Sequence, residues 1–219
     1  MIECNEDVKA SKATISRLPI YLRCLKKSLE AGEENVSSTR LAEILQLNPV
    51  QVRKDLALVS PTSGKPKLGF ATRELIEAIE DVLGCNNTND ALLVGAGGLG
   101  STLLAYDGFK NYGLNIVAAF DVNPELAGSE INGIKIFPIE KLADIAERLN
   151  VKMGIITVPA ASAQDIADRL VASGILAIWS FAPTHLNLPE NIAVKYEDLA
   201  ASLAVLSSKL KDAINPSCS

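Results

Sequence analysis

The sequence predicts an α/β protein in two parts: a helical, winged DNA-type domain followed by a doubly wound parallel sheet. Two observations predict it. The first is a change of texture, from amphipathic helices with a basic surplus to continuous apolar runs of strand length separated by helices. The second is the charge distribution. The 219 residues carry a net charge of −5, yet residues 9–73 hold twelve basic side chains against five acidic ones. That segment is +7 and the remainder −12, the profile of a nucleic-acid module joined to an acidic body. A chance surplus of solvated lysines is the alternative on charge alone.

Composition narrows the class further. At 48% hydrophobic and 21% charged, the chain can build a sizeable core and is not disordered throughout. No apolar run reaches the roughly 18 residues of a spanning helix. The N-terminus, MIECNEDVKASK, lacks the apolar stretch of a secretory signal. Cys4, Cys24, Cys85 and Cys218 are widely spaced, with only His185 for company, and suggest neither a zinc site nor a disulfide framework. The expectation is a cytoplasmic protein with reduced thiols, no metal and no membrane contact.

The N-terminal elements follow in order. Leu18, Leu22, Leu25 and Leu29 form an apolar stripe at helical period, ending near Ala31-Gly32. Val36-Ser37-Ser38 leads into a second helix, capped by a serine, with Leu41, Ile44 and Leu45 expected inward. After the two-residue turn Gln46-Leu47, Asn48 caps a third helix and Pro49 takes its first turn. This third helix carries Val50, Val52, Leu56 and Val59 among Gln51, Arg53, Lys54 and Asp55, and its polar face offers a glutamine and two cations, donors suited to base edges and phosphates. Residues 60–70, rich in turn formers and holding Lys65 and Lys67, read as a hairpin-tipped wing. A fourth helix from Thr72 as cap to Leu83 is expected to bury Leu75, Ile76, Ile79 and Val82 before Gly84 stops it. Residues 1–84 then form the winged-helix domain.

Residues 85–196 begin with a polar linker and continue with strands near 91–94, 116–120, 134–137, 154–158, 175–181 and 193–196. The first runs into Gly95-Ala96-Gly97-Gly98-Leu99-Gly100, a G-x-G-x-x-G motif between strand and helix. Its glycines serve a tight turn, close approach to a pyrophosphate and close helix packing. The next strand ends at Asp121, 21 residues past Gly100, placed to accept from both adenosine ribose hydroxyls. Its charge would repel a 2′-phosphate and Val122-Asn123-Pro124 offers no arginine, so NAD(H) is expected over NADP(H). This is a Rossmann-type domain. The strand ends Thr157-Val158-Pro159 and Phe181-Ala182-Pro183 face the same crevice and are expected on the nicotinamide side.

No general acid–base pair is evident, because His185, the single histidine, has no orienting partner in sequence. A nucleotide domain without catalytic apparatus points to sensing, not turnover. Residues 197–219 close the chain with Leu199, Leu203, Leu206 and Leu210, an apolar stripe that folds back or, by preference, reaches a second subunit. An NAD-linked oxidoreductase and a CoA-type regulator remain as other readings. Asp121 separates the second, since it suits free ribose hydroxyls better than a 3′-phosphate.

From about Ser16 to Asp212 the chain resembles the Rex family of bacterial redox-sensing transcriptional repressors. The resemblance is carried by Arg17-Leu18-Pro19-Ile20-Tyr21, Val36-Ser37-Ser38, Val52-Arg53-Lys54-Asp55-Leu56, Val94–Gly100, Ala118–Asp121, Thr157–Ala160 and Phe181-Ala182-Pro183. It implies a winged helix plus Rossmann domain, and a homodimer that swaps its C-terminal helix. It also implies inverted-repeat operator DNA as partner, released when NADH rises. Ser38, Gln51, Arg53 and Lys54, with Lys65 and Lys67 of the wing, would then meet DNA. Gly95 to Gly100, Asp121, Val122 and the two strand ends would hold NAD(H), with Tyr106 close by. Arg17, Tyr106 and Asp198 match a polar trio that links domains in the family. The chain departs from the pattern at Ala57-Leu58-Val59-Ser60, at Pro61 and Pro66, and at Ser180. Ser207-Ser208-Lys209 stands where the swapped helix normally offers an aromatic ring to nicotinamide, which implies a smaller preference for NADH.

Overall fold

The computed structural model describes residues 10–62, 64, 68–84 and 89–214. Two compact units divide the chain, Met1–Asn87 and Thr88–Ser219.

In the first unit, α1 (Lys12–Glu30) starts at Ser11, whose Oγ accepts the Thr14 N–H at 3.1 Å. Leu18, Leu22 and Leu25 are buried along it, joined by Tyr21. Strand β1 (Asn35–Val36) precedes α2 (Ser38–Leu45), and α3 is Pro49–Val59. Gln46 takes a left-handed conformation at the turn between them. Strand β2 (Phe70–Ala71) leads into α4 (Thr72–Leu83), which packs on α1.

Three details differ from the sequence-based expectation. Ile44 and Val82 are exposed at 52% and 45%, because the inward faces of their helices are narrow and already filled by Leu41 and Ala42, and by Leu75, Ile76 and Ile79. Thr72 is the first residue of α4 and not its cap; its hydroxyl instead donates to the Glu33 carbonyl at 2.8 Å. The strand that ends the wing segment has a partner elsewhere in the unit that the sequence does not suggest. Phe70 and Ala71 pair with Val36 and Asn35, antiparallel, on the far side of the helix-turn-helix. The tip, with Lys65 and Lys67, lies outside the described residues.

The second unit is a seven-stranded sheet in the order β5-β6-β4-β3-β7-β8-β9. Its strands are β3 (Asn89–Val94), β4 (Leu114–Asp121), β5 (Glu130–Ile131), β6 (Ile134–Pro138), β7 (Met153–Ile156), β8 (Ala177–Ser180) and β9 (Ala193–Tyr196). All neighbours are parallel except the β5–β6 pair. Numbered from β3 along the chain, the six parallel strands run 3-2-1-4-5-6, with the order reversing between β3 and β7. Alternate β3 residues face opposite ways. Leu92 and Val94 meet α6 (Leu142–Leu149) and α7 (Ala160–Ala172), while Ala91 and Leu93 share a core with Leu104 of α5 (Gly98–Leu104). Burial on both faces is why these strands read as unbroken apolar runs.

Helix α8 (Leu199–Ile214) begins at Asp198, whose Oδ1 accepts the Ala201 N–H at 2.8 Å. Its Leu199, Leu203, Leu206 and Leu210 are all about 60% exposed in the single chain. Among the described residues no helix is long and apolar enough to cross a membrane, and no group of three or more potential metal ligands forms.

Candidate functional site

Strand order reverses between β3 and β7, and in such sheets the ligand's crevice lies beyond the carboxyl ends of the strands at that point. Val94 ends β3, and Gly95 turns with φ of +104°, its N–H bonding the Phe120 carbonyl at 2.8 Å. The Gly95 carbonyl accepts from Thr157 Oγ1 at 2.7 Å, and the Ala96 N–H donates to Asp121 Oδ2 at 2.7 Å. The other Asp121 oxygen accepts the Asn123 N–H at 2.8 Å. A methyl group on Gly100 would stand 1.8 Å from the Gly95 carbonyl oxygen, so only glycine lets α5 start this close to the turn. A methyl on Gly97 or Gly98 would meet nothing within 4 Å, which leaves an open face on the loop where a ligand's backbone approach needs one.

That face carries the first-turn N–H groups of α5, unpaired within a helix by construction and aligned with its positive end. Gly97, Gly98 and Leu99 can therefore hold a diphosphate. Asp121 keeps further lone pairs for ribose hydroxyls, beside exposed Val122. Val158 and Phe181 are half-buried at their strand ends, Ala182 is buried, and Pro159 and Pro183 are exposed. Buried Ser180 accepts the Ala182 N–H on Oγ at 3.3 Å.

The structure does not bring Tyr106 together with this crevice. It follows the other end of α5, stacks edge-on against Phe109 with centroids 5.0 Å apart, and lines a cavity of about 330 Å³ near the starts of β4 and β6. Phe109, Trp179 and Phe181 continue that aromatic series across the sheet face. His185 is exposed, its ring 4.9 Å from that of Tyr196.

In the first unit, the Asn48 side chain accepts the N–H groups of Val50 and Gln51 and so starts α3. Arg53 and Lys54 are exposed on it. With Ser37, Ser38, Thr62 and Phe70 they line a cleft of about 560 Å³. Gln51, expected to face DNA, is exposed, and its amide donates to Asp55 Oδ1 at 3.0 Å.

Asp55 is the functional residue that sequence reasoning passes over. Only 1% exposed, it accepts Arg17 Nε on Oδ2 at 2.7 Å and Arg17 Nη2 on Oδ1 at 2.9 Å. Tyr21 Oη donates to Oδ2 at 2.8 Å and Thr14 Oγ1 to Oδ1 at 3.2 Å. The signal was available, since Asp55 lies at i+3 from Val52 and next to Leu56, inside the apolar stripe. This carboxylate ties α3 to α1. It also occupies Arg17, one member of the expected trio, just as Asp198 is occupied in starting α8.

Burial pushes the Asp55 carboxyl up, but hydrogen bonds from Arg17, Tyr21 and Gln51 outweigh it and hold it below the usual carboxylate range. Burial, then the bond to Asp55, raises Tyr21 to about 12. A depressed acid contributes stability above its unfolded value of about 4, lost as pH falls through the folded value. A raised phenol contributes below about 10, lost as pH climbs toward 12. Urea midpoints of the full chain should then be level between about pH 5 and 9 as far as this network sets them, and fall on both sides. With Asp55→Asn or Tyr21→Phe the corresponding limb should shrink; limbs that persist undiminished would contradict the assignment.

The comparisons with known proteins cover both units. A family model described as a putative DNA-binding protein N-terminus matches residues 9–57, and one described as a CoA binding domain matches residues 86–184. The redox-sensing transcriptional repressor Rex of Bacteroides fragilis is 40% identical over 95% of this chain and 94% of its own. That of Carboxydothermus hydrogenoformans is 42% identical over 93% of this chain and 97% of its own. Among solved structures, RSP in complex with β-NAD⁺ and operator DNA superposes with a TM-score of 0.86 at 33% identity, covering 93% of each chain. RSP in complex with β-NADH gives 0.82 at 33% identity, over 93% of this chain and 95% of that one. A glycine loop closed by an aspartate, a cationic third helix, and this likeness along nearly the whole length lead to one conclusion: the chain belongs to the Rex family of redox-sensing transcriptional repressors.

Proposed function

We propose that the protein is a cytoplasmic repressor that binds inverted-repeat operator DNA as a homodimer and releases it when NADH fills the glycine-loop crevice. The observation that carries this reading is the open face of Gly97 and Gly98 beside Asp121, a cradle for a dinucleotide diphosphate and ribose. Gly95 to Gly100 hold the diphosphate, Asp121 and Val122 border the adenosine, and the ends of β7 and β8 border the nicotinamide. Asp121 favours NAD(H) over CoA, whose 3′-phosphate would lie against a carboxylate. The relatives are named as repressors, and we read this chain as a regulator without catalytic turnover.

Arg53 and Lys54, with Ser38 beside them, face the DNA, and Lys65 and Lys67 of the wing add phosphate contacts. Gln51 acts through Asp55 and supports the helix. The α8 stripe supplies the dimer contact, because burying each leucine is worth about 1.5–3 kcal/mol and a two-fold protein matches a two-fold site. Arg17, Tyr106 and Asp198 form the interdomain relay, which requires Arg17 to leave Asp55 in one of the two states. With Ser207-Ser208-Lys209 in α8, the dimer prefers NADH over NAD⁺ by less than relatives with an aromatic ring there.

DNA binding is tested by titrating an inverted-repeat duplex carrying a Rex operator and a random duplex across salt concentrations. Log affinity should fall by about 0.9 per phosphate contact per decade of salt. Arg53→Ala should cost about 1–3 kcal/mol on the operator and less on random DNA. Equal loss on both would make Arg53 a phosphate clamp, and a flat salt dependence would contradict the DNA reading.

A further inference from the structure

The bonds at the glycine loop converge on one peptide group. The Gly95 carbonyl and the Ala96 N–H are the two ends of the peptide joining those residues. Thr157, just past β7, grips the carbonyl end at 2.7 Å, and Asp121, at the end of β4, grips the N–H end at 2.7 Å. Strands β7 and β4 flank β3 on either side, so the peptide is held from both neighbours. Thr157 Oγ1 also lies 3.0 Å from the Val94 carbonyl, and methyl groups on Gly95 or Gly100 would come within 3.1 Å of it. Its hydroxyl is thus engaged with the turn.

The orientation of this peptide matters because everything downstream follows from it. Gly95 has a positive φ, open to glycine, and a chain with that freedom gains alternative peptide orientations unless both ends are tied. The next N–H groups, those of Gly97, Gly98 and Leu99, point at the open face only while the turn keeps its present form.

Resting on the dinucleotide reading above, we infer that Thr157 is a positioning residue for the diphosphate half of the cofactor: it clamps the Gly95–Ala96 peptide opposite Asp121 and does not select the nicotinamide. This differs from the role its place at a strand end suggests. A nicotinamide contact changes the ratio of NADH to NAD⁺ affinity, whereas a brace on the diphosphate loop changes both affinities alike. It also acts on ADP-ribose, which has no nicotinamide.

The experiment titrates NAD⁺, NADH and ADP-ribose into the full-length parent, Thr157→Val and Thr157→Ser by calorimetry. Loss of one neutral hydrogen bond should weaken all three by about the same factor, roughly fivefold. Serine, which keeps the hydroxyl, should restore parental affinities to within about twofold of the parent. If Thr157→Val alters only the two nicotinamide ligands and spares ADP-ribose, or alters none, the clamp is refuted. Should the valine variant fail to fold, Thr157→Ala against Thr157→Ser makes the same comparison. If the parent itself binds none of the three, the dinucleotide reading fails, and this inference with it.

Discussion

Gly100→Ala should abolish dinucleotide binding and leave a repressor that holds its operator at every NADH level. The new methyl would sit 1.8 Å from the Gly95 carbonyl oxygen and 2.9 Å from its carbon, both backbone atoms with no rotamer to escape into. It would also come 3.0 Å from Thr157 Oγ1. Either α5 withdraws from the turn or the turn opens. Both outcomes undo the grip of Thr157 and Asp121 and scatter the N–H groups of the first turn. A cost of about 3 kcal/mol is ordinary for such a clash; because the free protein escapes it by leaving the binding form, regaining that form on binding costs the same, a loss of more than about a hundredfold in affinity. Gly97→Ala is the informative control. Its methyl meets nothing, so the melting temperature should stay at the parental value, yet it enters the space where the cofactor's phosphates approach. Calorimetry should therefore report lost binding for both variants, with a lowered melting temperature for Gly100→Ala alone. Full cofactor affinity in Gly97→Ala would show that the open face is not the ligand's side.

Asp55→Asn should cost the N-terminal unit about 3–5 kcal/mol, the usual result of removing one partner from a buried pair. The amide offers a single acceptor oxygen where the carboxylate serves Thr14, Arg17, Tyr21 and Gln51, and its NH₂ would face donors. Operator affinity should fall with it, because the helix that carries Arg53 and Lys54 is tied to α1 through this side chain. Urea unfolding of the full chain measures the first effect and fluorescence anisotropy on operator DNA the second. Asp107→Asn provides the contrast. Asp107 pairs with Lys110 on the surface and should show no measurable change. An Asp55 variant as stable as the parent would mean that the network stabilises nothing and that α3 is held by Val52 and Leu56 alone.

Much of this architecture was legible because burial writes itself into local pattern. Strands covered on both faces read as apolar runs, and the α8 leucines announced a face in need of a partner. The glycine loop was legible for a related reason, as its backbone demands leave few residue choices at 95 and 100. What escaped notice is non-local. Phe70 pairs with Val36 across 34 positions, which no turn signal near residue 65 encodes. Thr157 and Asp121 meet the same peptide only because β7 and β4 both lie beside β3, a matter of strand order. Asp55 was hidden by its chemistry: a carboxylate reads as polar-face material, although its position in the helix repeat places it inward. Ile44 and Val82 err the other way, apolar side chains whose angular positions fall outside a filled core.

Linkage between cofactor and DNA can be read from operator occupancy at a fixed total nicotinamide pool. Labelled inverted-repeat operator and full-length protein are equilibrated at constant NAD⁺ plus NADH while the ratio is varied, and anisotropy reports the bound fraction. Occupancy should be high in NAD⁺ and fall progressively as the NADH share rises. Occupancy that stays the same at every ratio, with calorimetry showing the cofactor bound, would mean that the two sites are not linked.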